Sequence, residues 1–282
     1  MRLLSPRQLA DALGVSESSL KRWVDAGKIA AARTDGGHRK ISLSEAVRFI
    51  RETGAPLARP EVLDMPEVAV AQQRALSGED GLYAYLAAGD TVGARGWLLA
   101  RYLAGASIEE LGDGPIKEAM HSLGELWRHD EGGIFVEHRG TDICLQALAQ
   151  LRNTFEPPPQ APLALGGAPE DDPYLLPTFL AATVIAAVGM RAVNLGPDTP
   201  IAAMQAAVAH YSPQLVWISA STPLSSQQAR EIAAWIATVP PSVQVLVGGR
   251  ESGRIAHAAS NEIHTVASMT ELAQISRAIL TN

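Results

Sequence analysis

The chain has a single cysteine, Cys144, in 282 residues. One thiol excludes an intrachain disulfide and any cysteine-rich zinc site. Set within a helical pattern, it reads as a small core residue rather than a reactive one. Long apolar runs are also missing. The longest, Phe179 to Met190, spans twelve residues, about two-thirds of what a membrane-spanning helix needs. Arg2 and Arg7 are followed by Gln8 and Asp11 with no apolar signal core between, so a cytoplasmic chain without a membrane partner is expected. No Gly-x-Gly-x-x-Gly run opens the C-terminal part, where Gly166-Gly167 runs into acids and prolines, which argues against nicotinamide chemistry. No heptads follow Ile50, so self-association must use a surface other than a coiled coil.

Hydrophobic residues make up 47% and charged residues 19%, a balance that supports packed cores rather than disorder. The net charge of -7 hides an asymmetry. Residues 1–51 hold ten Lys/Arg against five Asp/Glu, a net of +5, which leaves 13 against 25, a net of -12, for the rest. A small basic unit on an acidic body suits a protein that meets a polyanion with one end.

That basic unit has a readable plan. Ser5-Pro6 can cap and start a helix with Leu9, Ala12 and Leu13 on its apolar face, and Gly14 ends it. Ser16 caps a second helix. Leu20 and Trp23 point inward, Ser18, Ser19, Lys21 and Arg22 outward, and Gly27 stops it. Two short helices around a glycine turn, the second carrying hydroxyls and cations, form a helix-turn-helix for double-stranded DNA. In Thr34-Asp35-Gly36-Gly37-His38-Arg39-Lys40-Ile41 two glycines make a hairpin tip, so that His38, Arg39 and Lys40 can follow the phosphate backbone. Leu-x-Val-Ser at 13–16, Arg22-Trp23 and the Gly-Gly-His-Arg wing resemble the MerR family of DNA-binding heads. The resemblance implies dimeric binding to paired half-sites.

The chain then divides into five parts: a winged helix-turn-helix at 1–53, a linker at 54–66, a helical bundle at 67–155, a proline linker at 156–162 and an α/β domain at 163–282. The segment 54–66 holds three prolines without periodicity and reads as a tether that lets the head reorient. Helices are expected over 67–76, 80–87, 90–104, 115–128 and 134–154, the fourth opened by Pro115 at its first position. That is a four-helix bundle with one short extra element. Trp127 ends one helix, and Glu137 and His138 begin the next after Gly132-Gly133. They either meet at one end of the bundle, where they could cover a flat ligand, or form a packed Trp with a solvent-facing Glu-His pair. A proton-transfer role is conceivable for the pair, but no nucleophile or metal cluster accompanies it. The expectation is a non-enzyme with neither catalytic nor metal-ligating residues.

Beyond the prolines, strands over 162–165, 191–195, 215–219, 243–247 and 262–266 alternate with helices over 179–188, 201–210, 225–239 and 269–280. Uniformly apolar strands demand cover on both faces, hence a doubly wound parallel sheet with its ligand site beyond the strand C-termini. Gly166–Pro177, Ser219 to Thr222 with Ser221, and Gly248-Gly249-Arg250 lie at those ends. Their hydroxyls and glycines either line a pocket or are ordinary turns.

The whole plan, with Trp127, Glu137-His138, Asn194-Leu195-Gly196, Ser219 and Gly248-Gly249, resembles the CarH/LitR light-sensing regulators. The resemblance implies adenosylcobalamin held between bundle and sheet and a tetramer on DNA that light dismantles. The family's Asp-x-His-x-x-Gly motif falls on Asp172 to Pro177, with Tyr174 in the place of the lower-face histidine. Arg128 stands where a second histidine follows the bundle Trp. A phenol is a poor ligand for cobalt and a guanidinium has no free lone pair. Three readings of the ligand stay open: a module that has lost its chromophore and acts as a structural or partner-binding regulator, with a protein or small-molecule effector possible, one that holds a different flat or elongated ligand such as another tetrapyrrole, and one that binds cobalamin with the cofactor's own base on cobalt. A homodimer or homotetramer is expected in each.

Overall fold

The computed structural model describes residues 2–33, 37–76, 81–126 and 132–281, in two units. The first comprises residues 1–107 and 114–155, the second 108–113 and 156–282.

In the first unit, β1 (Leu3–Leu4) leads into α1 (Pro6–Leu13) through a capping box. The Ser5 hydroxyl accepts from the Gln8 N–H and the Gln8 side chain accepts from the Ser5 N–H, satisfying two donors that a helix start otherwise leaves unpaired. Gly14, with φ of 66°, closes α1, and Ser16 caps α2 (Glu17–Asp25). Then come β2 (Ala32–Arg33), β3 (Arg39–Ser42) and α3 (Leu43–Thr53). The strands form an antiparallel sheet of order β1-β3-β2. Leu4, Leu9, Leu13, Leu20, Ile41 and Ile50 are buried at its centre.

The segment after α3 is not the tether its composition suggests. Leu57, Pro60, Leu63 and Met65 are buried, and Pro60–Leu63 forms a 3₁₀ turn. The Ala58 and Arg59 N–H groups donate to the Ala12 carbonyl, and the Arg59 guanidinium holds both Asp11 oxygens at 2.8 Å. The apolar spacing is too irregular for a helix, yet it suffices to seat the segment on α1.

The bundle contains α4 (Pro66–Leu76), α5 (Leu82–Ala88), α6 (Thr91–Leu103), α8 (Lys117–Leu126) and α9 (Gly132–Arg152). Helices α4 and α6 cross closely because Gly96 has no side chain: a Cβ there would lie 2.2 Å from the Glu67 carbonyl. Where a break was expected, α7 (Ile108–Leu111) and a π-helical turn (Gly112–Ile116) occur instead. Pro115 lies inside that turn rather than at a helix start.

In the second unit, β4 (Leu163–Gly167), β5 (Arg191–Asn194), β6 (Leu215–Ser219), β7 (Gln244–Gly248) and β8 (His264–Thr265) form a parallel sheet of order β5-β4-β6-β7-β8. The helices are α10 (Leu175–Val188), α11 (Ile201–Tyr211), α12 (Ser226–Ile236), α13 (Ser252–Ala258) and α14 (Met269–Thr281). Leu163, Leu165, Val216, Ile218 and Val247 face Met204, Val208, Ile232 and Trp235 of α11 and α12. Ala164, Gly166, Leu215 and Trp217 alternate to the opposite face, that of α10. Segment 108–113 belongs to this unit through its side chains. Asp113 accepts from the Met269 and Thr270 N–H groups at 2.7 and 2.9 Å, capping α14, and buried Glu109 pairs with Arg277.

Candidate functional site

The exposed face of α2 presents Ser18, Lys21 and Arg22, with Ser19 half-buried and Leu20 fully buried behind them. The Ser16 hydroxyl lies 2.9 Å from those of Ser18 and Ser19, and Arg22 donates to Ser19 Oγ at 3.1 Å. Lys21 pairs with Glu17 at 2.9 Å. The polar face is therefore held in place by its own contacts before any partner arrives. Lys21, His38, Arg39 and Lys40 share one groove of about 540 Å³ with Arg7 and Glu17, while Ser18, Ser19 and Arg22 lie outside its lining. Arg39 pairs with Asp25 at the end of α2, tying the wing to that helix. Arg7 was not singled out from sequence as a DNA contact, although the Ser5-Pro6 helix start that sets it in the first turn was read there. The hairpin tip, residues 34–36, and Trp127, Arg128 and His129 lie outside the described residues.

On α9, the Glu137 carboxylate lies 3.5 Å from His138 Nε2 and accepts from Thr141 Oγ1 at 3.3 Å. The His138 side chain is 75% exposed. Ile134 and Phe135 are exposed beside them, Phe135 at 60%, with Arg139 stacked 5.5 Å above its ring.

The strand C-termini of the sheet unit are held shut by one carboxylate. Asp172 is 1% exposed. Its Oδ2 accepts from the Ser221 and Thr222 N–H groups at 2.6 and 3.0 Å, and its Oδ1 from the Tyr174 N–H at 3.1 Å. The loop after β4 is thereby stapled to the loop after β6, across the point where strand order reverses and α/β sheets usually open a crevice. Ser219 and Ser221 are buried. Gly249, with φ of 94°, is needed because a Cβ there would lie 2.2 Å from the Ala220 carbonyl. The close approach that the two glycines permit is thus to the protein's own chain. Tyr174, 46% exposed, caps α10 by its backbone and lies 5.8 Å beneath Arg250, whose Nε donates to the Ser221 carbonyl at 3.1 Å.

Below these loops, the space between the sheet and α10 is filled. The Trp217 indole lies across Gly166, where a Cβ would come within 2.3 Å of the ring. Its Nε1 donates to Thr178 Oγ1 at 3.0 Å, and Thr178 donates to Asn194 Oδ1 at 2.9 Å. Trp217 and Thr178 are both buried. At the β4 loop the groups present are thus Tyr174 and the Asp172 staple, with the Trp217 indole beneath them.

Residues 3–54 match the family model of a helix-turn-helix domain, and residues 79–152 that of a B12 binding domain. No curated protein matches the chain. Among solved structures, the monomethylamine corrinoid protein of Methanosarcina barkeri is similar at 17% identity and a TM-score of 0.55, over 70% of this chain and 96% of that one. A cobalamin-binding protein from Desulfitobacterium hafniense DCB-2 matches at 18% identity and 0.38, over 70% and 96%. The methanol:cobalamin methyltransferase complex MtaBC of Methanosarcina barkeri matches at 17% and 0.37, over 71% and 78%. At 17% identity the likeness to the first of these is one of fold. The chain joins a helix-turn-helix domain to a B12-binding-like module. No described helix is long and apolar enough to cross a membrane.

Proposed function

We propose that this chain is a sequence-specific, DNA-binding transcription regulator that oligomerises through its C-terminal module and has no cobalt-based light switch. One observation carries the DNA reading: α2 and the wing bring Lys21, His38, Arg39, Lys40 and Arg7 around one groove, with the Ser18, Ser19 and Arg22 face of α2 beside it. Cations along a groove suit a phosphate track, and a preset hydroxyl–guanidinium face suits base edges in the major groove. A single head covers one half-site, so the regulator works as at least a dimer. His138 is exposed and Glu137 half-buried beside it, and among the described residues no group of three or more His, Cys, Asp and Glu that could hold a metal ion accompanies them, which is in keeping with a binding role.

The test is binding to DNA selected from a random pool, measured against salt. Lys40→Ala is expected to weaken binding evenly across sequences and to lower the salt slope by about 1. Arg22→Ala is expected to cost about 1–3 kcal/mol and relax the preference at one base pair. Salt-independent binding, or binding untouched by both substitutions, refutes the reading.

A second reading has one observation in its favour, the B12-domain match over residues 79–152 together with exposed Ile134 and Phe135 at the start of α9. On that reading the bundle alone covers a corrinoid carrying its own base, or another tetrapyrrole. Spectra of the protein mixed with adenosylcobalamin in darkness and then desalted decide between them. A stoichiometric cobalamin spectrum with light-dependent loss of the DNA complex would overturn the first reading's absence of a light switch.

A further inference from the structure

The last turns of α3 and α6 meet at one side chain. Arg51 lays its guanidinium over the Tyr102 ring, 3.7 Å from the centroid. Its N–H groups donate to the main-chain carbonyls of Tyr102, of Ala106 at 2.8 Å and of Gly105 at 3.4 Å. The Tyr102 carbonyl lies in the last turn of a thirteen-residue helix, where the helix dipole favours a cation, and those of Gly105 and Ala106 follow just after it. A planar fork satisfies several acceptors and stacks on a ring at the same time, which an ammonium cannot do. Tyr102 is buried and packs in turn against Phe155, with ring centroids 6.1 Å apart.

The places these residues hold in the chain give the cluster its meaning. The chain leaves the first unit between residues 107 and 108 and again between 155 and 156. Ala106, gripped by Arg51, lies just before the first exit, and Phe155, packed on Tyr102, is the last residue before the second. The head has little other freedom, because the segment following α3 is seated on α1 through Leu63, Arg59 and Asp11. One guanidinium therefore fastens the head beside both exits.

We propose that Arg51 is a coupling contact, through which a displacement of either chain exit re-aims α2 and the wing. The inference rests on the head being the DNA-binding part, but its test uses no DNA, so the two fail separately. Nitroxides are placed at Ala30→Cys in the head and Ser122→Cys on α8, both exposed positions. Cys144 stays unlabelled because it is buried. Pulsed electron-spin distance measurement on the full chain is expected to give one narrow distribution. Arg51→Ala and Arg51→Lys are expected to widen it at least twofold with helicity retained, and the lysine variant keeps the test open should the alanine variant misfold. Phe155→Ala, which removes the ring packed on Tyr102, is expected to widen it as well. A broad distribution in the parent protein, or unchanged width in Arg51→Lys or in Phe155→Ala, overturns the proposal.

Discussion

Replacing Asp172 by alanine removes the one carboxylate that joins the β4 and β6 loops. Three backbone N–H groups lose their acceptor: those of Ser221, Thr222 and Tyr174. Hydrogen bonds to a charged group contribute about 1.5–3 kcal/mol each, and a buried donor left unpaired costs a similar amount. The Tyr174 N–H lies at an exposed residue, where water can replace the carboxylate, so its loss is discounted. The Ser221 and Thr222 amides face an acceptor that is 1% exposed, and water reaches them only if the loops part. Against this stands relief from holding a carboxylate in the interior, a cost of several kcal/mol that its partners now offset. The net expectation is a loss of about 3–4 kcal/mol from the sheet unit. With a urea slope of about 1–3 kcal/mol per molar, the midpoint of that unit's transition falls by about 1–4 M. Circular dichroism follows the transition, and hydrogen exchange at the Ser221 amide locates it. Asp172→Asn, which keeps one acceptor oxygen, is expected to lose about half as much. A loss below about 1 kcal/mol in the alanine variant, with the Ser221 amide still protected, would falsify the staple.

Gly166→Ala places a methyl against the Trp217 carbonyl and indole and is expected to destabilise the unit by about 3 kcal/mol or more. Adding Trp217→Val should recover part of that loss, and chemical denaturation of the single and double variants gives the coupling. Burial pushes the Cys144 thiol up to about 12, so a thiol reagent at pH 8 should modify it only at the rate of unfolding, while rapid labelling of native protein would contradict its placement. Asp90 is held below the usual carboxylate range by the Arg74 guanidinium and by the Gly93 N–H it caps. A depressed folded value means that its stabilisation is complete above the unfolded value near 4 and lost as pH falls through the folded one. Asp90→Ala is therefore expected to cost about 1 kcal/mol at pH 7 and much less at pH 2, and an equal cost at both refutes the assignment.

The head was legible because its signals are local. A capping serine, a left-handed glycine or a proline at a helix start acts within four residues, so Ser5, Gly14 and Ser16 could be placed without knowing what packs above them. The sheet was legible for another reason, since short apolar strands with helical patterns between them fit few arrangements. Elements that depend on distant partners were hidden. Segment 108–113 sits among glycines that read as a break, and its helical turn exists because Asp113 and Glu109 find α14 more than 150 residues later. The connection after α3 looked slack because proline and irregular spacing usually mean a linker, and only the buried Leu63 and the Arg59–Asp11 pair show otherwise. Helix α13, seven residues long and containing a glycine, is too short for periodicity to reveal.

The ligand region shows the limit most sharply. Hydroxyls and glycines at strand ends suit a pocket and a plain turn equally well, and what separates the two is whether their polar groups are already spent. Here the carboxylate and one glycine are spent: Asp172 is consumed by three amides, and the freedom of Gly249 is used by the Ala220 carbonyl, whereas the buried Thr222 hydroxyl has no partner among the described residues. Trp217 settles the interior in the same manner. In sequence it is one apolar residue in an apolar strand, and Gly166 is one glycine of a pair near a turn. Only the parallel pairing of β4 with β6 sets them side by side. The absent side chain of one then becomes the seat of the other, and the indole N–H finds the Thr178 hydroxyl in a space that would otherwise need a guest. In this unit the layers, strand order and loop glycines of an open α/β sheet surround an interior already filled by the protein's own indole.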